Sequence, residues 1–300
     1  MPTSPWTAAD LSDQAGRTFL ITGGNSGIGF EAARMLGHAG ALVILAVRDR
    51  AKGELAAAEI QGGQVRVLDL ASLDSVRAFA AATTEPVDVL VNNAGVMAPP
   101  FGRTSDGFEV QFGVNHLGHF ALTNLLLPMI GDRVVTVSSG AHRLGRIDLT
   151  DLNWERRRYR RWDAYGQSKL ANLLFTLALD RRLTVAGSQV RALAAHPGYS
   201  ATNLQTHYGN AVADRLLGLG NRLFAQSAEM GALSTVYAAT QALPGASYVG
   251  PGGRSERRGY PALVGRSARA SDDAMAERLW EESEKLTGVS FPDLIAPPSR

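Results

Sequence analysis

A tyrosine and a lysine stand four residues apart in Tyr165-Gly-Gln-Ser-Lys169. The run from Ala164 to Leu183 reads as helix, so this spacing puts phenol and ammonium on one face. A free phenol ionises near pH ~10, too high for proton transfer at neutral pH. A cation held nearby favours the phenolate and lowers that value. Lysine occurs only at positions 52, 169 and 285, every other basic side chain apart from histidine being arginine, which makes Lys169 stand out.

Five further groupings precede or accompany the pair, most of them where a strand is expected to end. Thr22-Gly-Gly-Asn-Ser-Gly27-Ile-Gly29 follows one strand and opens a helix. Amides at a helix N-terminus bind phosphate, and glycines let the chain approach a pyrophosphate closely. Gly23, Asn25, Ser26, Gly27, Ile28 and Gly29 are therefore candidate cofactor contacts, with G-x-x-x-G-x-G spacing. Arg48 lies just past the second strand, where such folds meet the adenosine ribose. An arginine there suits a 2′-phosphate and points to NADP over NAD, although Asp49 follows directly. Asp69-Leu70 ends the third strand and is placed to meet the adenine edge, or Asp69 serves as a helix N-terminal acid. Asn92-Asn93-Ala94-Gly95 ends the fourth, its small Ala94 and Gly95 letting a cofactor lie close to Asn93. Ser139 ends a later strand and could donate to a substrate oxygen, with Ser138 as competitor. Asn115 falls inside an expected helix, Val110–Leu127, where asparagine is unfavourable; a local bend or a water-holding role is the expectation.

These groups need a scaffold that brings strand ends together. Apolar strand-like runs (Thr18–Thr22, Ala41–Val47, Val65–Leu68, Val87–Val91, Arg133–Ser138, Gln189–Ala195) alternate with helical segments at 30–39, 53–60, 73–82, 110–127 and 164–183. Continuous apolar strands separated by helices predict a parallel sheet covered on both faces. The expected architecture is one α/β domain over residues 1–300, with an N-terminal arm at 1–15. The segment 245–300 extends the same domain and turns helical at Asp272–Thr287.

Composition narrows the function further. The chain has 300 residues, 45% hydrophobic, with a net charge of +2, too little charge to suggest a nucleic-acid binder. Cysteine is absent, which excludes disulfides, thiolate metal sites and a cysteine nucleophile; no metal site is expected. The N-terminus shows no secretory pattern, and no apolar stretch approaches the ~20 residues of a membrane span. A cytoplasmic protein is the expectation.

The set, in this order, resembles the short-chain dehydrogenases/reductases over residues 15–240. Asn115-His-Leu-Gly-His-Phe120, Ser168-Lys-Leu-Ala-Asn172, His196-Pro-Gly198, Arg48-Asp49, Tyr248-Val-Gly-Pro-Gly252 and Arg278-Leu-Trp280 are similar to its retinol dehydrogenase-like branch. The resemblance implies a Rossmann-type doubly wound sheet with helices on both faces. It implies a catalytic set of Asn115, Ser139, Tyr165 and Lys169. Tyr165 would be acid in reduction and base in oxidation. Lys169 would hold the nicotinamide ribose and depress the tyrosine's pKa. Ser139 would orient the substrate oxygen, and Asn115 would hold a water linking Lys169 to a proton relay. Pro197, Gly198 and Thr202 would flank the nicotinamide.

The implied activity is NADP(H)-dependent hydride transfer with a hydrophobic aldehyde, ketone or alcohol. A light-driven reductase of the protochlorophyllide type shares the Tyr/Lys pair but relies on cysteines, which this chain lacks. A non-catalytic NADP(H) sensor typically loses the tyrosine or the lysine. The family often forms dimers and tetramers through its long helices, so a homo-oligomer is possible, although the C-terminal segment could cover that surface.

Two segments depart from the common pattern. Trp154-Glu-Arg-Arg-Arg-Tyr-Arg-Arg-Trp162 widens the gap between Ser139 and Tyr165 with basic and aromatic residues. It reads either as a solvated arginine loop or as a flap for an acidic or lipid-like substrate or an anionic surface. Tyr199–Gln226 falls where the family places its substrate lid and carries a leucine-rich stripe. That stripe reads equally as lid or as core.

Overall fold

A computed structural model describes residues 5–198 and 227–294. The leucine-rich stripe, His207, Tyr208 and Thr202 fall outside the described residues. Eight strands form one sheet in the order β3-β2-β1-β4-β5-β6-β7-β8. They are β1 (Thr18–Thr22), β2 (Leu42–Val47), β3 (Gly63–Val67), β4 (Val87–Asn92), β5 (Ile130–Val137), β6 (Arg191–Ala195), β7 (Tyr248–Pro251) and β8 (Pro261–Leu263). β1 to β7 pair in parallel, and β8 closes the edge antiparallel to β7.

The strands are apolar on both sides because both sides are covered. Leu20, Ile44, Leu90 and Val134 pack into one layer with Phe112, Phe120, Phe175 and Trp280. Their neighbours Phe19, Ile21, Val43, Leu45, Val89 and Val135 pack into the other with Leu36, Leu233 and Val236. The second layer carries the helices Gly27–His38 and Ala228–Thr240; the first carries Leu73–Ala82, Gly118–Leu126, Arg161–Val185 and Asp273–Thr287. The Rossmann-type doubly wound sheet expected from the sequence is therefore the observed one.

β1 lies between β2 and β4, so the strand order reverses there. Crevices form at the carboxyl ends of strands at such a switch point. Thr22 and Asn92 end β1 and β4 at that place.

The expected helix Val110–Leu127 is not continuous. A single turn, Val110–Phe112, passes into a π-helical stretch, Gly113–Leu117, and then into α-helix from Gly118 to Leu126. The Gly118 amide donates to the Gly113 carbonyl, the widened bond of a π-turn. The α-helix stops at Leu126, and Pro128 follows in a short 3₁₀ turn, Leu127–Met129.

Helix Asp273–Thr287 starts on an Asp272 cap to the Met275 amide (2.9 Å) and ends at Gly288 in the left-handed region (φ 62°). Its Trp280 ring meets Phe120 at 4.8 Å and stacks on Phe175 at 5.7 Å, with the Arg182 guanidinium 4.2 Å from its centre. The face joining helix Gly118–Leu126 to helix Arg161–Val185 is thus filled from within the chain.

Candidate active site

The site grows from the ends of β1, β4 and β5. Ser26 stands at the N-cap of helix Gly27–His38, yet its side chain makes no cap bond. The first-turn amides are left to an outside acceptor, which suits a phosphate oxygen. The glycines are demanded by the packing behind the loop. Gly23 has φ 66°, and a Cβ on Gly29 would lie 2.4 Å from the Asn93 side-chain nitrogen and 2.7 Å from the Gly23 carbonyl. Gly27 also takes positive φ (57°); Asn25 and Ile28 are half-buried and Ser26 is exposed. The loop fits a dinucleotide's phosphates.

The shelf after β4 is tied to this loop. The Thr22 hydroxyl accepts from the amides of Asn93 and Ala94, each at 2.9 Å, and the Asn93 side chain donates to the Thr22 carbonyl at 2.8 Å. Asn92 points the other way, donating to Thr123 at 2.8 Å. Gly95 sits where a Cβ would be 3.1 Å from the Asn115 side-chain oxygen and 3.5 Å from Lys169 Nζ.

Asn115 is wholly buried. Its side chain brackets Val96, accepting from the amide at 2.8 Å and donating to the carbonyl at 3.0 Å. The same amide group donates to Ser168 at 2.9 Å, and the Ser168 hydroxyl donates to the Tyr165 carbonyl at 2.8 Å. The π-turn therefore joins the shelf to the helix that bears Tyr165 and Lys169. A bend was expected at Asn115; its partner is backbone as well as side chain.

Ser139 and Ser138 separate cleanly. The Ser138 hydroxyl is buried and donates to the Lys169 carbonyl at 2.7 Å. Ser139 is half-buried, accepts from the Ala141 amide at 3.2 Å and offsets part of the rise in the Tyr165 pKa. Ser139 is the serine that faces the phenol.

Lys169 Nζ donates to the Val137 carbonyl at 3.0 Å and lies 5.8 Å from the centre of the Tyr165 ring. Burial lowers the lysine to about 8. Burial also pushes the Tyr165 phenol up to about 12, with the Ser139 hydrogen bond opposing it. The sequence expectation ran the other way, with Lys169 lowering the tyrosine. Desolvation of the phenolate outweighs a cation that is directed at a carbonyl.

Arg48 is exposed and makes no ion pair among the described residues. The Asp49 carboxylate caps helix Arg50–Ala57 by accepting from the Lys52 amide at 3.1 Å, and it pairs with Lys52 Nζ at 3.2 Å. Asp69 accepts from the Ala71 amide at 2.9 Å, while the next helix is capped by Ser72, not Asp69. Leu70 is buried, with its carbonyl against Gly118. Pro197 and Gly198 follow β6; Gly198 has φ 70° and donates its amide to His196 Nδ1 at 3.2 Å. A Cβ on Gly250 would strike the His196 ring at 2.0 Å, so the two positions depend on each other. No cluster of three metal-ligating side chains occurs among the described residues.

The arginine-rich insertion is folded onto the body. Arg157 lies 3.8 Å over the Trp154 ring and donates to Gln167 at 2.5 Å. The Tyr159 hydroxyl donates to the buried Glu109 at 3.0 Å. Arg156, Arg158 and Arg160 remain exposed. Trp162 is 44% exposed and meets Tyr165 edge-on at 6.0 Å; Leu144 nearby is 64% exposed. Sequence reasoning missed Glu109, because its partners Asn153 and Tyr159 come from a distant segment.

A glycine loop and an asparagine shelf at the reversal of strand order, with a tyrosine and a buried lysine on one helix, define a nucleotide-dependent oxidoreductase of the Rossmann class. The model of the short chain dehydrogenase family matches residues 17–214, and the chain belongs to that family, in its retinol dehydrogenase-like branch. It is 43% identical to human Retinol dehydrogenase 13 over 300 residues, covering 94% of this chain and 88% of the relative. Mouse Polyprenol dehydrogenase is 42% identical over 300 residues, covering 94% and 87%. The crystal structure of an uncharacterised protein from Mycobacterium Paratuberculosis is 56% identical, with a TM-score of 0.85, covering 96% of this chain and all of that one.

Proposed function

We propose that this dehydrogenase/reductase uses NADP(H) to interconvert a hydrophobic aldehyde or ketone and its alcohol. The observation that carries the reading is the placement of Tyr165 and the buried Lys169 on one helix, with Lys169 Nζ 5.8 Å from the Tyr165 ring, at the end of the sheet that bears the glycine loop. A bound nicotinamide would supply the hydride in reduction and accept it in oxidation.

The chain's own residues handle position and protons. Ser139 and Tyr165 hold the substrate oxygen between two hydroxyls. In reduction Tyr165 gives its proton to that oxygen as the carbonyl carbon gains hydride; in oxidation its phenolate takes the alcohol proton. A neutral phenol is the form needed for reduction, and a buried phenol held at about 12 stays neutral at working pH. Lys169 and Asn115 border Gly95; Lys169 would contact the nicotinamide ribose, and Asn115 is proposed to hold a water that links Lys169 to a proton relay. Pro197, Gly198 and Thr202 are proposed to flank the nicotinamide, and Asp69-Leu70 the adenine.

NADP preference is supported by Arg48. It is exposed after β2, while the competing Asp49 carboxylate is engaged in a helix cap. An apolar substrate is supported by the exposed Trp162 ring beside Tyr165 and by relatives whose names carry retinol and polyprenol.

The test is oxidation of NADPH and NADH with a panel of hydrophobic aldehydes and ketones. Tyr165→Phe should lower kcat/KM by about 10²–10⁴-fold, the range for a lost general acid. Arg48→Glu should weaken NADPH by about tenfold or more and leave NADH nearly unchanged, as expected for one charged hydrogen bond. Full turnover in Tyr165→Phe would refute the proton role. Equal use of both cofactors by the parent protein would refute the NADP assignment.

A further inference from the structure

His119 is buried and lies one turn beyond Asn115. Its Nδ1 is 3.0 Å from the Asn115 carbonyl, and its Nε2 is 2.9 Å from the Thr22 hydroxyl. These contacts determine where the protons are. A carbonyl can only accept, so Nδ1 carries the hydrogen. The Thr22 oxygen already accepts from the Asn93 and Ala94 amides. Its own hydrogen goes to His119 Nε2, since the alternative acceptor, the Val91 carbonyl, is 3.4 Å away. Nε2 must therefore be bare.

The ring connects two clamps on the same shelf. Thr22 grips the shelf at Asn93 and Ala94, beside the glycine loop. Asn115 grips it at Val96, beside Lys169. We propose that His119, as the neutral Nδ1–H tautomer, is a positioning residue that holds the phosphate end of the cleft in register with its reacting end. Burial lowers its pKa to about 4, with the nearby Lys169 charge adding to the shift, in keeping with a neutral ring. The role rests on the reading of the cleft as a dinucleotide site. It predicts that His119 matters for a ligand that spans both ends and not for one that occupies a single end.

The experiment compares NADPH with adenosine 2′,5′-bisphosphate, which carries only the adenine half. Dissociation constants are measured by calorimetry for the parent protein, His119→Asn and His119→Gln. Asparagine can keep the donor to the Asn115 carbonyl but not the Thr22 acceptor; glutamine can keep the acceptor but not the donor. Each variant should weaken NADPH by about tenfold and the half-ligand by no more than about twofold, as expected from one buried hydrogen bond felt by only one of the ligands. Equal weakening of both ligands, or of neither, would overturn the positioning role. A parent protein that bound neither ligand would instead overturn the cofactor reading. Nitrogen-15 NMR of histidine-labelled parent protein, assigned by the peak missing in whichever of His119→Asn and His119→Gln folds, gives a readout that needs no ligand. A protonated Nδ1 with a bare Nε2 is expected; the opposite tautomer would overturn the network.

Discussion

The Ser138 hydroxyl donates to the backbone carbonyl of Lys169 at 2.7 Å, fastening the end of β5 to the helix that carries the proposed proton donor. Its neighbour Ser139 is half-buried and acts on the Tyr165 hydroxyl, where it opposes the rise in the phenol's pKa. Adjacent serines thus divide support from chemistry.

Alanine at each position should separate these tasks. Ser138→Ala should cost about 1–3 kcal/mol of stability, because it leaves a buried carbonyl with one partner fewer, and should change kcat/KM only a few-fold. Ser139→Ala should lower kcat/KM by about 10²-fold or more, as for loss of a donor to the reacting oxygen, with a smaller stability cost. Urea unfolding and steady-state kinetics on both variants check the division. A reversed pattern would exchange the serines' roles.

Acid should unfold this protein through its histidines. Burial lowers His116 to about 3 and His119 and His196 to about 4, from an ordinary 6.5, and His142 moves in the same direction. Between about pH 6.5 and 4 the unfolded chain binds protons that the folded chain refuses, so stability falls as pH falls through that window. Each such histidine contributes a slope of about 1.4 kcal/mol per pH unit. Urea midpoints should be flat above pH 7 and drop steeply from 6.5 to 4.5. A midpoint independent of pH in that range would mean the rings are protonated in the fold.

Trp280 should be worth more than any other side chain of its helix. It is almost fully buried between Phe120 and Phe175, and its indole nitrogen donates to Glu284 at 2.8 Å. Trp280→Ala should cost about 3–5 kcal/mol, the range for deleting a large buried ring. Trp280→Phe should recover a good part of it. Thermal melts of both variants decide this; a melting point unchanged in Trp280→Ala would show that the helix is dispensable.

Much of the fold was legible because its signals are local. Strands buried on both faces read as unbroken apolar runs, and the Tyr-x-x-x-Lys spacing places two groups on one helical face whatever surrounds them. Features that depend on distant partners were not legible. The π-turn at Gly113–Leu117 forms where Asn115 meets Val96, a contact absent from the helical pattern. β7 and β8 sit in a stretch rich in glycine, proline and arginine that carries no strand pattern. Ser138 and Ser139 are told apart only by knowing which face of β5 meets the Tyr165 helix. The insertion read as one basic unit, yet Arg157 is a packing residue and Arg156, Arg158 and Arg160 are surface charges.

The helix that carries Trp280 also imposes an order of events on synthesis. His116 bonds to Ser283 at 2.9 Å across 167 residues of sequence. A nascent chain can lay down β1 to β6 and the glycine loop while Phe120 and Phe175 still lack their cover. The contacts of His116, Phe120 and Phe175 with that helix are complete only after translation has passed Ser283. Until that moment the growing polypeptide shows an apolar face beside the π-turn, and a shortened product ending before Asp273 would keep that face open.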